Sequence, residues 1–128
     1  MMDFTGTYEL QSHENMEAFL RAMGVPENVI EKGKNAKGVT EIKQHGNHFV
    51  INMATGPKVQ HLEFNLGEET EVEVPTGEKV KSTMNLEDGK LVTKFKGVTT
   101  VMELSGDTLT SELTFKDIVC KRISKRIS

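Results

Sequence analysis

The side chains best suited to chemistry are four histidines (His13, His45, His48, His61), one cysteine (Cys120) and a basic run, Lys121-Arg122-Ile123-Ser124-Lys125-Arg126. His45 and His48 flank Gly46-Asn47, a turn that would bring two imidazoles together, and His61 follows on a nearby segment. A metal site needs a third donor in tetrahedral reach and outer partners that orient the rings. Neither His-Glu-x-x-His nor Gly-x-Ser-x-Gly is present, so a metal-dependent hydrolase using the histidines is a distant alternative. Gly33-Lys34-Asn35-Ala36-Lys37-Gly38 has the two-glycine spacing of a phosphate loop, but Val39 stands where the lysine is required. Cys120 has no activating neighbour in the sequence and reads as a small wall residue. The basic run, laid out as a strand, divides its cations between two faces, which suits a structural strand better than a polybasic signal.

The elements that must position these residues are marked by glycine. From the middle of the chain onward Gly46, Gly56, Gly67, Gly77, Gly89, Gly97 and Gly106 recur at gaps of 8 to 12 residues, beside turn formers such as Pro57, Pro75, Asp88 and Asp107. That is the turn spacing of an antiparallel meander, and it leaves no room for crossover helices. The segments between alternate with period two: Leu62, Phe64 and Leu66; Leu91, Thr93 and Phe95; Val98, Thr100, Met102 and Leu104; Leu109, Ser111, Leu113 and Phe115. Nine strand candidates run from Val39 to Ser124, and residues 5–11 supply a tenth. Ten strands in 128 residues predict an all-β, ten-stranded up-and-down barrel, lipocalin- or calycin-like, since closure removes exposed edges. Helical spacing occurs once, in Met16, Phe19, Leu20 and Met23 ahead of Gly24; Pro26 then opens a second short helix through Val29 and Ile30 to Gly33. The pair predicts a lid over about residues 15–34 of a single domain spanning 1–128.

Composition narrows the partners. Sixteen basic against 19 acidic residues give a net charge of −3, and there is no Trp, so neither a phosphate-binding face nor a base-stacking platform is expected. A lone cysteine fits a reducing compartment, and no secretory leader or membrane span is visible, so a cytoplasmic monomer is expected. The inward phases carry Thr93, Thr100 and Ser111, and a filled core would avoid a line of hydroxyls. A wet cavity accounts for them better. In the last strand both phases hold a cation, so periodicity leaves the direction of Arg122 open, and composition favours a solvated position.

Several stretches, in order, resemble the intracellular fatty-acid-binding protein family, and within it the liver type. They are Phe4-Thr5-Gly6-Thr7-Tyr8, Glu14-Asn15 through Lys32-Gly33-Lys34, Lys37-Gly38-Val39-Thr40-Glu41-Ile42, Thr76-Gly77-Glu78-Lys79-Val80-Lys81, Gly89-Lys90-Leu91-Val92-Thr93, Glu103-Leu104-Ser105-Gly106-Asp107, and Asp117-Ile118-Val119 into the basic run. The resemblance implies a non-enzymatic carrier of long-chain fatty acids, with acyl-CoA, bile acids and other hydrophobic anions as related ligands, and up to two ligands per chain. A bile-acid carrier of the same fold is the closer alternative. It implies that Arg122 points inward to the ligand carboxylate, assisted at the matching positions by Thr40 and Ser111, with Ser124 leaving room where other members hold a Tyr. Cavity walls would come from Phe19, Leu20, Ile42, Ile51, Met53 and Phe64; from Val72, Ser82, Met84, Leu91, Thr93 and Phe95; and from Thr100, Met102, Leu109, Leu113 and Cys120. Met16, Val29, Lys32, Pro57, Pro75 and Thr76 would form the portal, where Pro57 replaces a Ser that holds a second headgroup in the liver type. Lys32, Lys34 and Lys37 would touch anionic membranes transiently. No cofactor and no nucleic acid are expected.

Overall fold

The computed structural model describes residues 3–33, 37–55, 58–73, 77–95 and 97–128. The chain runs β1 (Gly6–Glu14), α1 (Met16–Ala22), α2 (Glu27–Gly33), β2 (Gly38–His45), β3 (His48–Thr55), β4 (Lys58–Asn65), β5 (Glu69–Glu73), β6 (Lys79–Glu87), β7 (Lys90–Phe95), β8 (Val98–Ser105), β9 (Thr108–Phe115) and β10 (Ile118–Arg126). The ten strands form one sheet in the order β4-β3-β2-β1-β10-β9-β8-β7-β6-β5. Each strand pairs with its sequence neighbour, except that β1 pairs with β10 and the β4–β5 edge carries no ladder. The result is the meander expected from the glycine spacing, curled into a nearly closed barrel.

Local chemistry explains the joins. Glu87 pairs with Lys90 across Asp88 (φ 54) and Gly89 (φ 79), two left-handed residues in a row. This Asp-Gly turn suits the twist of a tight hairpin. Alternation fails at one place: β1 shifts register between Leu10 and Ser12, so Leu10 faces Ser124 while His13 faces Arg122. A bulge of this kind bends the strand and moves its inward phase from even to odd residues.

The core divides in two. One cluster joins Phe4, Tyr8, Ile42, Phe49, Ile51, Phe64, Val72, Met84, Leu91, Leu104 and Leu109. Its centre is a stack of Phe49 on Phe64 at 5.2 Å, with Phe4 tilted against Phe49 at 6.0 Å. The second joins Phe19 of α1 to Val98 and Cys120, with Met16, Leu20 and Met23 packed around them. The amphipathic stripe of α1 is therefore spent against the β8–β10 side. α2 buries Ile30 and leaves Val29 exposed.

The end around Phe4 is sealed by polar contacts. Gln44 is buried, and its Oε1 accepts from Phe4 N at 2.8 Å while its Nε2 donates to the Gly46 carbonyl at 3.2 Å. Tyr8 donates its hydroxyl to the Phe4 carbonyl at 2.7 Å. Arg126 Nη2 reaches the Tyr8 oxygen at 3.0 Å and the Thr5 carbonyl at 3.1 Å. Gly6 makes this possible, because a Cβ there would lie 2.9 Å from Arg126 Nε and 3.3 Å from the Tyr8 ring. Buried polar atoms without such partners would each cost about 1–3 kcal/mol.

Phe49 is fully buried between two other rings, so Phe49→Ala should lower the stability to urea unfolding by about 3–5 kcal/mol. A loss under about 1 kcal/mol would show that this end of the barrel collapses freely around the gap.

Candidate functional site

Between the two clusters and beneath the helices lies a cavity of about 440 Å³. That is within the range of about 300–1,000 Å³ usual for small-molecule sites. The helices and the turn between them roof it with Met16, Phe19, Leu20, Val25, Val29, Ile30 and Gly33, and the strands wall it with Leu10, Ile51, Met53, Leu62, Phe64, Val72, Leu91, Phe95, Met102 and Leu113. Four polar side chains interrupt this surface: Thr93, Thr100, Ser111 and Arg122. His13, Glu17, Lys32, Gln60, His61 and Glu73 complete the lining.

Arg122 is the unusual group. On β10 it stands opposite Ser111 of β9 and His13 of β1, so the phase of β10 that carries Cys120, Arg122 and Ser124 is the inward one. Its Nε is buried without a hydrogen-bond partner. Its Nη2 lies 3.2 Å from where a Cβ of residue 38 would be, and Gly38 leaves that space open. Burial pulls the guanidinium pKa below its ordinary value, with a smaller opposing effect from Cys120. The group stays cationic all the same, since arginine starts so far above neutrality. A desolvated cation at the side of an apolar chamber is an anion receptor by its physics.

The remaining expected residues divide by position. Of the expected walls, Phe19, Leu20, Ile51, Met53, Phe64, Val72, Leu91, Thr93, Phe95, Thr100, Met102 and Leu113 border the cavity, as do Met16, Val29 and Lys32 of the expected portal. Ile42, Met84 and Leu109 are instead absorbed into the Phe49–Phe64 cluster, below the cavity floor. Ser82 is turned into a backbone contact, donating to the Lys94 carbonyl at 2.9 Å. Cys120 packs under α1, its Sγ 3.7 Å from Met16 Sδ. Thr40 and Ser124 are inward and each 8% exposed, yet neither borders the cavity. Pro57, Pro75 and Thr76, with Lys34, lie outside the described residues.

Sequence reasoning missed Leu10, Val25, Ile30, Leu62, Gln60 and the mouth residues His13, Glu17 and Glu73 as lining groups. Leu62 and Ile30 carried a periodic signal; His13 carried none, because the bulge that places it beside Arg122 is invisible in the pattern. Among the described residues no three His, Cys, Asp or Glu side chains stand close enough to hold a metal ion. His48 and His61 instead flank Glu63 on the outward face of β3 and β4, His61 also bordering the cavity. No helix of the described residues is long and apolar enough to cross a membrane.

A ten-stranded barrel roofed by two helices, with one buried cation in an apolar chamber, defines a binding protein for hydrophobic anions. The comparisons place it further. A family model for the lipocalin / cytosolic fatty-acid binding protein family matches residues 2–128, and the chain belongs to that family. It is 57% identical over 127 residues to a liver fatty-acid-binding protein of Sus scrofa, covering 98% of this chain and 100% of that one. Among solved structures it superposes on the REP1-NXSQ fatty acid transporter with a TM-score of 0.92 at 27% identity, over 97% of this chain and 96% of the other. It also matches a zebrafish ileal bile-acid-binding protein complexed with cholic acid, with a TM-score of 0.82 at 33% identity, over 97% and 98% of the two chains.

Burial pushes the Cys120 thiol up, against a smaller opposing pull from Arg122. The folded protein should therefore react with a chromogenic disulfide at least about a hundredfold more slowly than the urea-unfolded chain. Prompt stoichiometric labelling of the native protein would show that α1 leaves the barrel often.

Proposed function

We propose that this protein is a non-covalent carrier of long-chain fatty acids and similar amphipathic anions, held inside the barrel. The observation that carries the reading is the buried Arg122, its Nε unpartnered, in a cavity whose other walls are mostly apolar. The similarity to fatty-acid-binding and bile-acid-binding proteins supports the same class of ligand.

The energetics assign different parts of the ligand to different jobs. Burying about fifteen methylenes gains roughly 12 kcal/mol gross, at about 0.8 kcal/mol each. Lost translation and ordering remove several kcal/mol of that. The ion pair with Arg122 desolvates both partners and adds little net affinity. Its role is orientation, fixing which end of the chain enters first. Ser111, the cross-strand neighbour of Arg122, supplies a hydroxyl beside the carboxylate, and Thr40 and Ser124 are further hydroxyls on the same inward face. Met16, Phe19 and Leu20 on α1 and Val29 on α2 gate the mouth, with Lys32 at its rim. The family resemblance assigns Pro57, Pro75 and Thr76 to the same portal.

The protein acts as a cytoplasmic monomer that transforms nothing. It accepts up to two ligands per chain, acyl-CoA among them. It touches anionic membranes briefly through Lys32, Lys34 and Lys37. Calorimetric titration of the delipidated protein with oleate and then a bile salt tests the whole reading. Saturable oleate binding, with bile salt weaker, is expected; preference for bile salt moves the ligand to the steroid class, and binding of neither removes the carrier role.

Arg122→Leu should retain oleate affinity to within about tenfold while losing the inward carboxylate pose. With oleate labelled at the carboxyl carbon, the bound resonance should shift and titrate nearer the ordinary carboxylate range in the variant. An unchanged shift and titration would remove Arg122 from the site.

A further inference from the structure

We propose that the β3–β4 hairpin carries a proton-operated clamp, in which His48 and His61 close on Glu63 and hold β4 beside the barrel's one unladdered seam. β4 has a full ladder only with β3. Across the seam it is met by side chains: Gln60 Nε2 donates to the Glu73 carbonyl at 3.3 Å, and Thr70 Oγ1 donates to the Glu63 carbonyl at 3.4 Å. Seam residues Gln60, Val72 and Glu73 also border the cavity, so the position of β4 sets part of the cavity wall.

On the outer face of the hairpin, His48 Nδ1 lies 2.8 Å from Asn65 Oδ1 and His61 Nδ1 lies 2.6 Å from Asn52 Oδ1. An amide oxygen only accepts, so both Nδ1 atoms carry hydrogens. Each Nε2 then faces the carboxylate of Glu63, at 2.8 Å from His48 and 3.6 Å from His61. A neutral ring in this tautomer would set an Nε2 lone pair against a carboxylate lone pair. A proton on Nε2 of His48 turns that repulsion into a charge-assisted hydrogen bond between neighbouring strands. The Asn65 and then the Glu63 hydrogen bonds hold the His48 pKa above its ordinary value, against desolvation.

The other charged groups facing this patch are Lys43 and His45 on β2, beside Val50 and His48 of β3, and Glu41, which accepts from Asn52 Nδ2 at 3.5 Å. Across the seam stand Glu69, Glu71 and Glu73, the first two near Lys81 and Lys79 at 3.8 and 4.0 Å. Because the folded pKa of His48 is raised, the clamp is fully present below about pH 6.5, the free imidazole value, for as long as Glu63 stays ionised, and is lost as pH rises through the folded value.

The test is NMR on the ligand-free protein. The His48 ring should titrate above a free imidazole. Amide protection on β4, corrected for intrinsic exchange, should fall about three- to tenfold as pH rises through that midpoint. Glu63→Gln, which keeps the shape and removes the charge, should lower the His48 midpoint by about half a unit or more and flatten the protection profile. His48→Gln should flatten it as well. A His48 midpoint at or below the free value, or a β4 profile that neither variant changes, overturns the clamp. A second arm rests on the carrier reading: oleate release should quicken over the same pH transition. If the amide results hold and oleate does not bind, the carrier reading fails and the clamp stands.

Discussion

A guanidinium turned into a largely apolar cavity, its Nε cut off from water, is the constraint around which the barrel is organised. Arg122 sits inside the wall with its Nε unpartnered, and the backbone at Gly38 has no side chain to crowd the guanidinium. Such a group costs free energy in the empty protein, because water is a better solvent for it than leucine and methionine are. The barrel bears that cost because the rest of the fold is secured elsewhere. The ladder runs through nine of the ten strand junctions of the circle, and the end around Phe4 and Gln44 is sealed by hydrogen bonds that leave Arg126 Nε as its one buried, unpartnered side-chain atom among the described residues. The price is recovered when an anion arrives, which makes the cation a selector for the charged end of a ligand rather than a source of tight binding.

The scarcity of aromatic residues takes on a meaning in this arrangement. Six Phe and one Tyr would not fill a ten-stranded barrel, and they are not asked to. Phe4, Tyr8, Phe49 and Phe64 pack one end solid, and Phe19 anchors α1 on the β8–β10 side. Between them the walls are built from methionine, leucine and threonine, flexible or small enough to accept ligands of different outline. Cores that interdigitate like crystals resist such change. Gathering Phe4, Tyr8 and Phe49 below the chamber, with Phe19, Phe64 and Phe95 alone of the Phe and Tyr rings bordering it among the described residues, separates the part of the protein that must be stable from the part that must adapt.

Much of this was legible in the residues. Turn-forming glycines at intervals of about ten positions carry the meander, because a hairpin turn needs left-handed backbone at a fixed place. The spacing of Met16, Phe19, Leu20 and Met23 carries α1 for an equally local reason. What the pattern did not carry depends on closure. Lys121 and Arg122 make the two phases of β10 look alike, and only the pairing of β10 with β1 decides which one turns inward. The bulge after Leu10 swaps parity without any glycine or proline to announce it. Ile42, Met84 and Leu109 alternate just as Ile51 and Met102 do, and height along the barrel axis, which alternation does not encode, separates wall from core. The His48–Glu63–His61 cluster joins residues from two strands, so it appears only once their register is known.

The pairing of β1 with β10 also bears on how the chain is made. Ile127 N reaches the Thr7 carbonyl at 2.8 Å, and Arg126 grips Thr5 and Tyr8, so the first strand of the barrel is closed by the tenth and the residues just after it. Strands β2 to β4 and β6 to β9 can each pair with the strand made just before them as the polypeptide emerges. The first strand reaches its second partner only after the eight strands between them have been made, and the contacts it then makes join residues 118 and 121 positions apart. Closure of β1 on β10 is thus the last pairing the order of the strands allows, and until it occurs the chain keeps an open strand edge within reach of chaperones and of other chains.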